Sequence, residues 1–379
     1  MKKIIAGILS AALMFSVVPG FTSMATVSTK LSAPTASKSS GFFASKFSVK
    51  LSSATKGAVV YYTTNGSTPT RKSTKYKAAI AVSKTTTLKA IAAISSMTSA
   101  VSTYTYDFSK LTGNITADGS TALQPLATDA QPLFQKKYAG MFSGSITIGG
   151  GGSGQGLTDV SNGTVSIGDS DVSAEQAGKD GTGLVDHKVC VVGVGIAISD
   201  NVAKYLTNIS AGDLTRIYNG TITNWNKVSG WKGGSLPIQV YFRKAGSGTR
   251  TLFETYGTGV KKSDAQLASY QNFMLKSSSG DLSSAIANQA SSAGAIGYDT
   301  LPYVVSEKLN TLSLDGVAAN YANIYKGKYK IWGYEHMFTK GEATGAAKAF
   351  IQFVASDDFA DVAIKDGYGL ISKMKVSRK

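Results

Sequence analysis

The sequence predicts two architectures in series, an all-β sandwich over residues 26–108 and an α/β unit over residues 109–379, and three observations lead there. Charge changes sharply near Phe108: residues 26–108 carry 11 Lys and Arg against Asp107 alone, a net of +10, whereas residues 111–379 carry 25 basic and 22 acidic residues, a net of +3. The first stretch shows short segments of strand alternation broken by turn clusters. The second alternates apolar strand-like runs with helical ones, the pattern of a sheet covered by helices on both faces.

In the first stretch, Phe47 to Leu51, Ala58 to Thr63 and Thr87 to Ala92 read as strands, and Thr64-Asn65-Gly66-Ser67 reads as a turn. Strands at this spacing suggest a sandwich of immunoglobulin-like size. Ahead of it, Met1-Lys2-Lys3, the apolar Ile4 to Val18 and Ser23-Met24-Ala25 have the charged start, short core and small-residue cleavage site of a secretory signal over residues 1–25. The apolar run is too short for a confident membrane span, and no cysteine for a lipid anchor follows it. The single Cys190 cannot form an internal disulfide and reads as a buried strand residue.

In the second stretch, Ile238 to Phe242 reads as a strand, followed by Arg243-Lys244-Ala245-Gly246-Ser247-Gly248-Thr249-Arg250 and then a helix at Leu252 to Tyr256. A strand ending in Arg, a Gly/Ser/Thr turn and a helix start together supply a guanidinium fork, hydroxyls and free backbone N–H groups, the donors an oxyanion needs. Two further segments repeat the arrangement: Gly119-Ser120-Thr121 before Ala122-Leu123, and Gly149 to Gly156, containing Ser153, after Ser145 to Ile148. Any one of them alone is an ordinary capped turn; three aimed at one point would form a site.

A fourth segment, Val165 to Val172, ends in the acidic turn Asp169-Ser170-Asp171. A carboxylate only accepts hydrogen bonds, so beside an anion site it favours an anion that keeps a proton at neutral pH, as phosphate does and sulfate does not.

In this order and spelling, the segments resemble the substrate-binding proteins of phosphate ABC importers. Leu214 to Asn226, Gly294-Ala295-Ile296-Gly297-Tyr298 and Phe350 to Val354 are also similar to that family, over roughly Leu111 to Lys379. The resemblance implies a two-lobed periplasmic-binding-protein fold of type II, with a middle lobe of about 200–295, crossovers near Gly193 to Ser199 and Ala295 to Tyr303, and lobes that hinge shut on the anion. It implies Ser120, Thr121, Ser153, Asp171, Arg243, Ser247, Gly248 and Thr249 as phosphate-binding residues, and an extracytoplasmic receptor that hands inorganic phosphate to the membrane subunits of an importer. Family members carry an acid two residues after this arginine; here Ala245 stands there. The first stretch, through Val60 to Thr70, Ser73 to Tyr76 and Thr85 to Ala92, resembles the chitobiase C-terminal-type domain, which names a fold and implies no activity.

Enzyme readings fail on missing partners: neither Asp169-Ser170-Asp171 nor His187 or His336 comes with a metal-ligand cluster, and the Gly149 to Gly156 run lacks dinucleotide-fingerprint spacing. The chain therefore reads as a binding protein without cofactor, metal or nucleic-acid partner. The alternatives are a receptor for another oxyanion (arsenate, a phosphonate or sulfate) and a wall-associated protein with a vestigial cleft. The basic first domain has the charge to contact anionic wall polymers or lipid headgroups, and equally the composition of a solvated spacer.

Overall fold

The computed structural model describes residues 31–378, so the signal segment read over residues 1–25 lies outside the described residues. Among the described residues, contacts divide the chain into two units: one takes 31–38, 49–79 and 87–104, and the other takes 39–48, 80–86 and 105–378.

The first unit is all β among its described residues. Val59–Thr63 runs antiparallel to Thr86–Ile94 with Tyr61 opposite Ile91, and Thr74–Lys75 and Met97–Thr98 pair on either side. Leu88, Ala90 and Ala92 alternate along Thr86–Ile94 and are fully buried, so one face of that strand is core.

In the second unit a ten-stranded sheet carries two hydrophobic cores. Its strands along one path are β1 (Ile115–Gly119), β2 (Ile146–Ile148), β3 (Ile167–Ser170), β4 (Leu184–Ile198), β5 (Ile238–Arg243), β6 (Phe273–Lys276), β7 (Gly294–Thr300) and β9 (Trp332–Lys340), with β8 (Asn310–Leu314) joined to β4 and the short strand Asn208–Ile209 joined to β8. The spatial order is β2-β1-β3-β9-β4-β7-β5-β6. The first three strands pair in parallel, as do β7, β5 and β6, while β9 and β4 are antiparallel to their neighbours. Parallel strands need crossovers, which the helices α1 (Gln124–Lys137), α2 (Ser153–Asn162), α3 (Ala211–Tyr218), α4 (Gly248–Phe253), α5 (Ser279–Ala287) and α6 (Gly345–Val354) help to supply.

Strand β4 joins the two halves. It pairs with β9 as far as Gly193, opposite Trp332, and with β7 from Val194, opposite Thr300. The cores switch at the same place: Cys190 packs with Leu126, Phe134 and Phe350, whereas Val191 packs with Trp225, Phe253 and Tyr298. The return crossing differs from the sequence expectation. It lies in β9, where Tyr334 belongs to the second core and Met337 to the first, not near Ala295 to Tyr303. The middle portion therefore runs on past residue 295, because β7 and β8 both hydrogen-bond to the far end of β4 and keep residues 294–331 in the second core.

Candidate ligand-binding site

Four strand ends meet where the cores adjoin, and tight backbone crossings bring them there. Gly119 ends β1 with φ near +131°, and a Cβ on Gly156 would lie 2.6 Å from the Asp118 carbonyl oxygen and 2.8 Å from Gly119 Cα. Only glycine allows α2 to approach β1 and β3 this closely. This packing brings Ser153, at the start of α2, beside the end of β3 and Asp171.

Three hydroxyls converge on the Asp171 carboxylate, which is 2% exposed. Ser120 and Ser153 donate to Oδ1, the latter at 3.3 Å, and Thr249 donates to Oδ2 at 2.6 Å. The Asp171 N–H in turn donates to Ser153 Oγ at 3.0 Å. Ser120 also caps its own turn, accepting from the N–H groups of Ala122 and Leu123 at 3.0 and 2.9 Å. Ser247 is the N-cap of α4 and accepts from Arg250 N at 3.3 Å. Gly248 follows at the first position of that helix, and a Cβ there would collide with Ser153 Oγ and lie 2.8 Å from Asp171 Cβ.

Arg243, at the end of β5, is 1% exposed. One terminal nitrogen donates to Thr121 Oγ1 at 3.0 Å and the other to Ser279 Oγ at 2.6 Å, while the Nε is buried without a partner. All eight residues expected from the sequence are therefore gathered at one buried place. Thr121 comes from the β1 end and meets Arg243 from the β5 end; Gly154 N likewise donates to the Gly246 carbonyl at 2.9 Å.

Lys244, Ala245 and Arg250 flank this cluster. Arg250 forms ion pairs with Glu254 at 2.7 Å and Asp264 at 2.5 Å and donates to the Arg243 carbonyl at 2.9 Å. Ala245 is exposed, and its N–H donates to both Asp264 oxygens at 3.1 Å. Arg250 thus serves as a brace for the loop, with its charge already met.

Sequence reasoning passed over Ser279. It opens α5, in Ser277-Ser278-Ser279-Gly280 after β6, the same strand, Ser/Gly turn and helix spelling as the other segments, and its N–H also donates to Thr121 Oγ1 at 3.3 Å. Tyr303 was missed as well; its hydroxyl donates to the Thr121 carbonyl at 3.1 Å.

The electrostatics behind the site are acidic. Asp169 and Glu335 are fully buried, with none of their carboxyl oxygens hydrogen-bonded. Burial, reinforced by the nearby charges of Asp118 and Asp171, holds Asp169 well above the usual carboxylate range. Burial and then Asp171 and Asp169 do the same to Glu335. The two histidines have other partners: His336 Nδ1 lies 2.7 Å from Asp186, and His187 Nε2 lies 3.0 Å from Thr339 Oγ1.

A family model described as a PBP superfamily domain matches residues 109–358. The chain belongs to the PBP superfamily. This PBP-superfamily chain is 37% identical over 272 residues to the phosphate-binding protein PstS of Bacillus subtilis, covering 71% of the chain and 84% of that relative. Among solved structures it is similar to one from Clostridium perfringens, described as a phosphate ABC transporter substrate-binding protein with bound phosphate, at 26% identity and a TM-score of 0.58 over 68% of this chain and 99% of that one. An ABC-type phosphate transport receptor from Vibrio cholerae, at 21% identity and a TM-score of 0.53 over 68% and 99%, shares the fold. The PBP unit is the two-lobed α/β fold of type II, and a chitobiase/β-hexosaminidase C-terminal domain model matches residues 38–105 ahead of it.

Proposed function

We propose that this chain is an extracytoplasmic solute-binding protein that captures inorganic phosphate between its lobes and delivers it to an ABC importer. The observation that carries this reading is the convergence of Ser120, Ser153 and Thr249 on the Asp171 carboxylate, with Arg243 linked to the same cluster through Thr121. Ser120, Thr121, Ser153, Arg243, Ser247, Gly248 and Thr249 would supply hydroxyl, guanidinium and helix-start N–H donors to the phosphate oxygens. Asp171 would accept the proton that phosphate keeps.

The same arrangement accounts for selectivity. A carboxylate at Asp171 can only accept, so an anion with no proton would find no hydrogen bond to give there. The relatives described as phosphate-binding support the choice of ligand, and the solute-binding role carries no catalytic step. Refolding the protein free of ligand and measuring equilibrium uptake of radiolabelled inorganic phosphate tests the reading: saturable one-to-one uptake supports it, and no uptake by folded protein refutes it.

A further inference from the structure

A guanidinium buried as deeply as that of Arg243 is costly without an opposite charge. Its two hydrogen-bond partners, Thr121 and Ser279, are neutral hydroxyls. Its own loop offers no charge either. Ala245 is a methyl facing solvent, and the nearby acids Glu254 and Asp264 are paired with Arg250.

The sheet supplies what the loop lacks. Strands β5 and β7 pair in parallel with Ile238 beside Gly294 and Val240 beside Ile296. Three residues further along each strand stand Arg243 and Asp299. Asp299 is fully buried and held at both oxygens, by Ser283 Oγ donating at 2.7 Å and Thr300 N donating at 2.8 Å. Ser279 is the shared neighbour: its hydroxyl accepts from Arg243 at 2.6 Å, and it is among the groups that draw the Asp299 carboxyl down.

We propose that Asp299 is the counter-charge of Arg243 and, through Ser279, the group that aims its guanidinium at the bound anion. Asp299 is a positioning residue, and the inference rests on the phosphate reading for the identity of that anion. Burial raises the Asp299 carboxyl to about 7, and Arg243 is the foremost of the influences drawing it back down. A pH of 8 lies above that value and on the side that favours the ionised carboxyl a counter-charge requires. The site thus obtains from a neighbouring strand, 56 residues on in sequence, the charge that position 245 does not provide.

The test is a double-mutant cycle on phosphate-free full-length mature protein at pH 8, using Asp299→Asn, Arg243→Ala and their combination, with inorganic phosphate as the titrant. Asp299→Asn is expected to weaken phosphate binding by about tenfold, the scale of one charge-assisted contact, and to cause no further loss once Arg243 is Ala. In parallel, Asp299→Asn should change the thermal midpoint more favourably in the Arg243→Ala background than in the wild type. Ser279→Ala leaves both charges in place and should weaken phosphate binding only while Arg243 is present, which keeps the question answerable if Asp299→Asn does not fold. Unchanged affinity in Asp299→Asn and Ser279→Ala, with wild type binding phosphate, would overturn the proposal. Wild type that binds no phosphate would defeat the functional reading instead. The thermal cycle then decides by itself whether the pair exists: coupling supports it, and additivity overturns it.

Discussion

Thr249 Oγ1 donates to Asp171 Oδ2 at 2.6 Å, joining the first turn of α4 to the turn after β3, where the chain passes from Ile167 in the first core to Val172 in the second. The bond ties the proposed proton acceptor of the site to the helix start that follows Arg243. A ligand that donates to Asp171 favours the closed arrangement, and one that repels it does not.

Asp171→Asn follows directly. The amide can donate as well as accept, so the penalty against a fully deprotonated anion falls. Calorimetric titration of the variant should show a smaller preference for phosphate over sulfate than the wild type; unchanged selectivity would remove Asp171 from proton sensing.

Arg243→Ala removes the guanidinium that reaches Thr121 and Ser279. Loss of a charge-assisted fork should cost about 2 kcal/mol or more of phosphate binding at neutral pH. Affinity equal to the wild type in a folded variant would place Arg243 outside the site.

Gly248→Ala tests closure by steric means. Its Cβ would press on Ser153 and Asp171, both of which belong to segments on the opposite side of the site. Phosphate affinity should fall while the circular-dichroism spectrum and cooperative unfolding persist, and a variant with wild-type affinity would contradict the close approach of α4 to Asp171.

The buried carboxyls set the pH dependence of stability. Asp169, Glu335 and Asp299 all have raised pKa values, chiefly through burial. Each therefore binds its proton more tightly folded than unfolded, so its contribution declines as pH rises from the ordinary carboxylate range toward its folded value. For Asp299 that window runs from about 4 to about 7. The thermal midpoint of phosphate-free protein should fall between pH 5 and pH 8, and the fall should be smaller in Asp299→Asn. An equal fall in both would show that Asp299 does not titrate in this window.

The local chemistry of the site was legible because it is written in contiguous spelling: a strand, a Gly/Ser/Thr turn and a helix start are all short-range features. Strand Ile238–Arg243 and helix Gly345–Val354 were readable for the same reason, through apolar runs and helical periodicity. Ser279 carries a similar strand, Ser/Gly turn and helix-start signal in Ser277-Ser278-Ser279-Gly280. Asp299 was beyond sequence reasoning, since its place next to Arg243 comes from the parallel register of β5 and β7. The return crossing was misplaced for a similar reason. Strand β9 changes cores between Tyr334 and Met337 within one continuous buried run, where no turn residue marks the switch.

The most direct test of the central claim is a paired calorimetric titration of the ligand-free mature protein with phosphate and then sulfate at neutral pH. Tight one-to-one phosphate binding with weak or absent sulfate binding is the predicted result. Failure of a folded protein to bind phosphate, or equal affinity for the two anions, would contradict it.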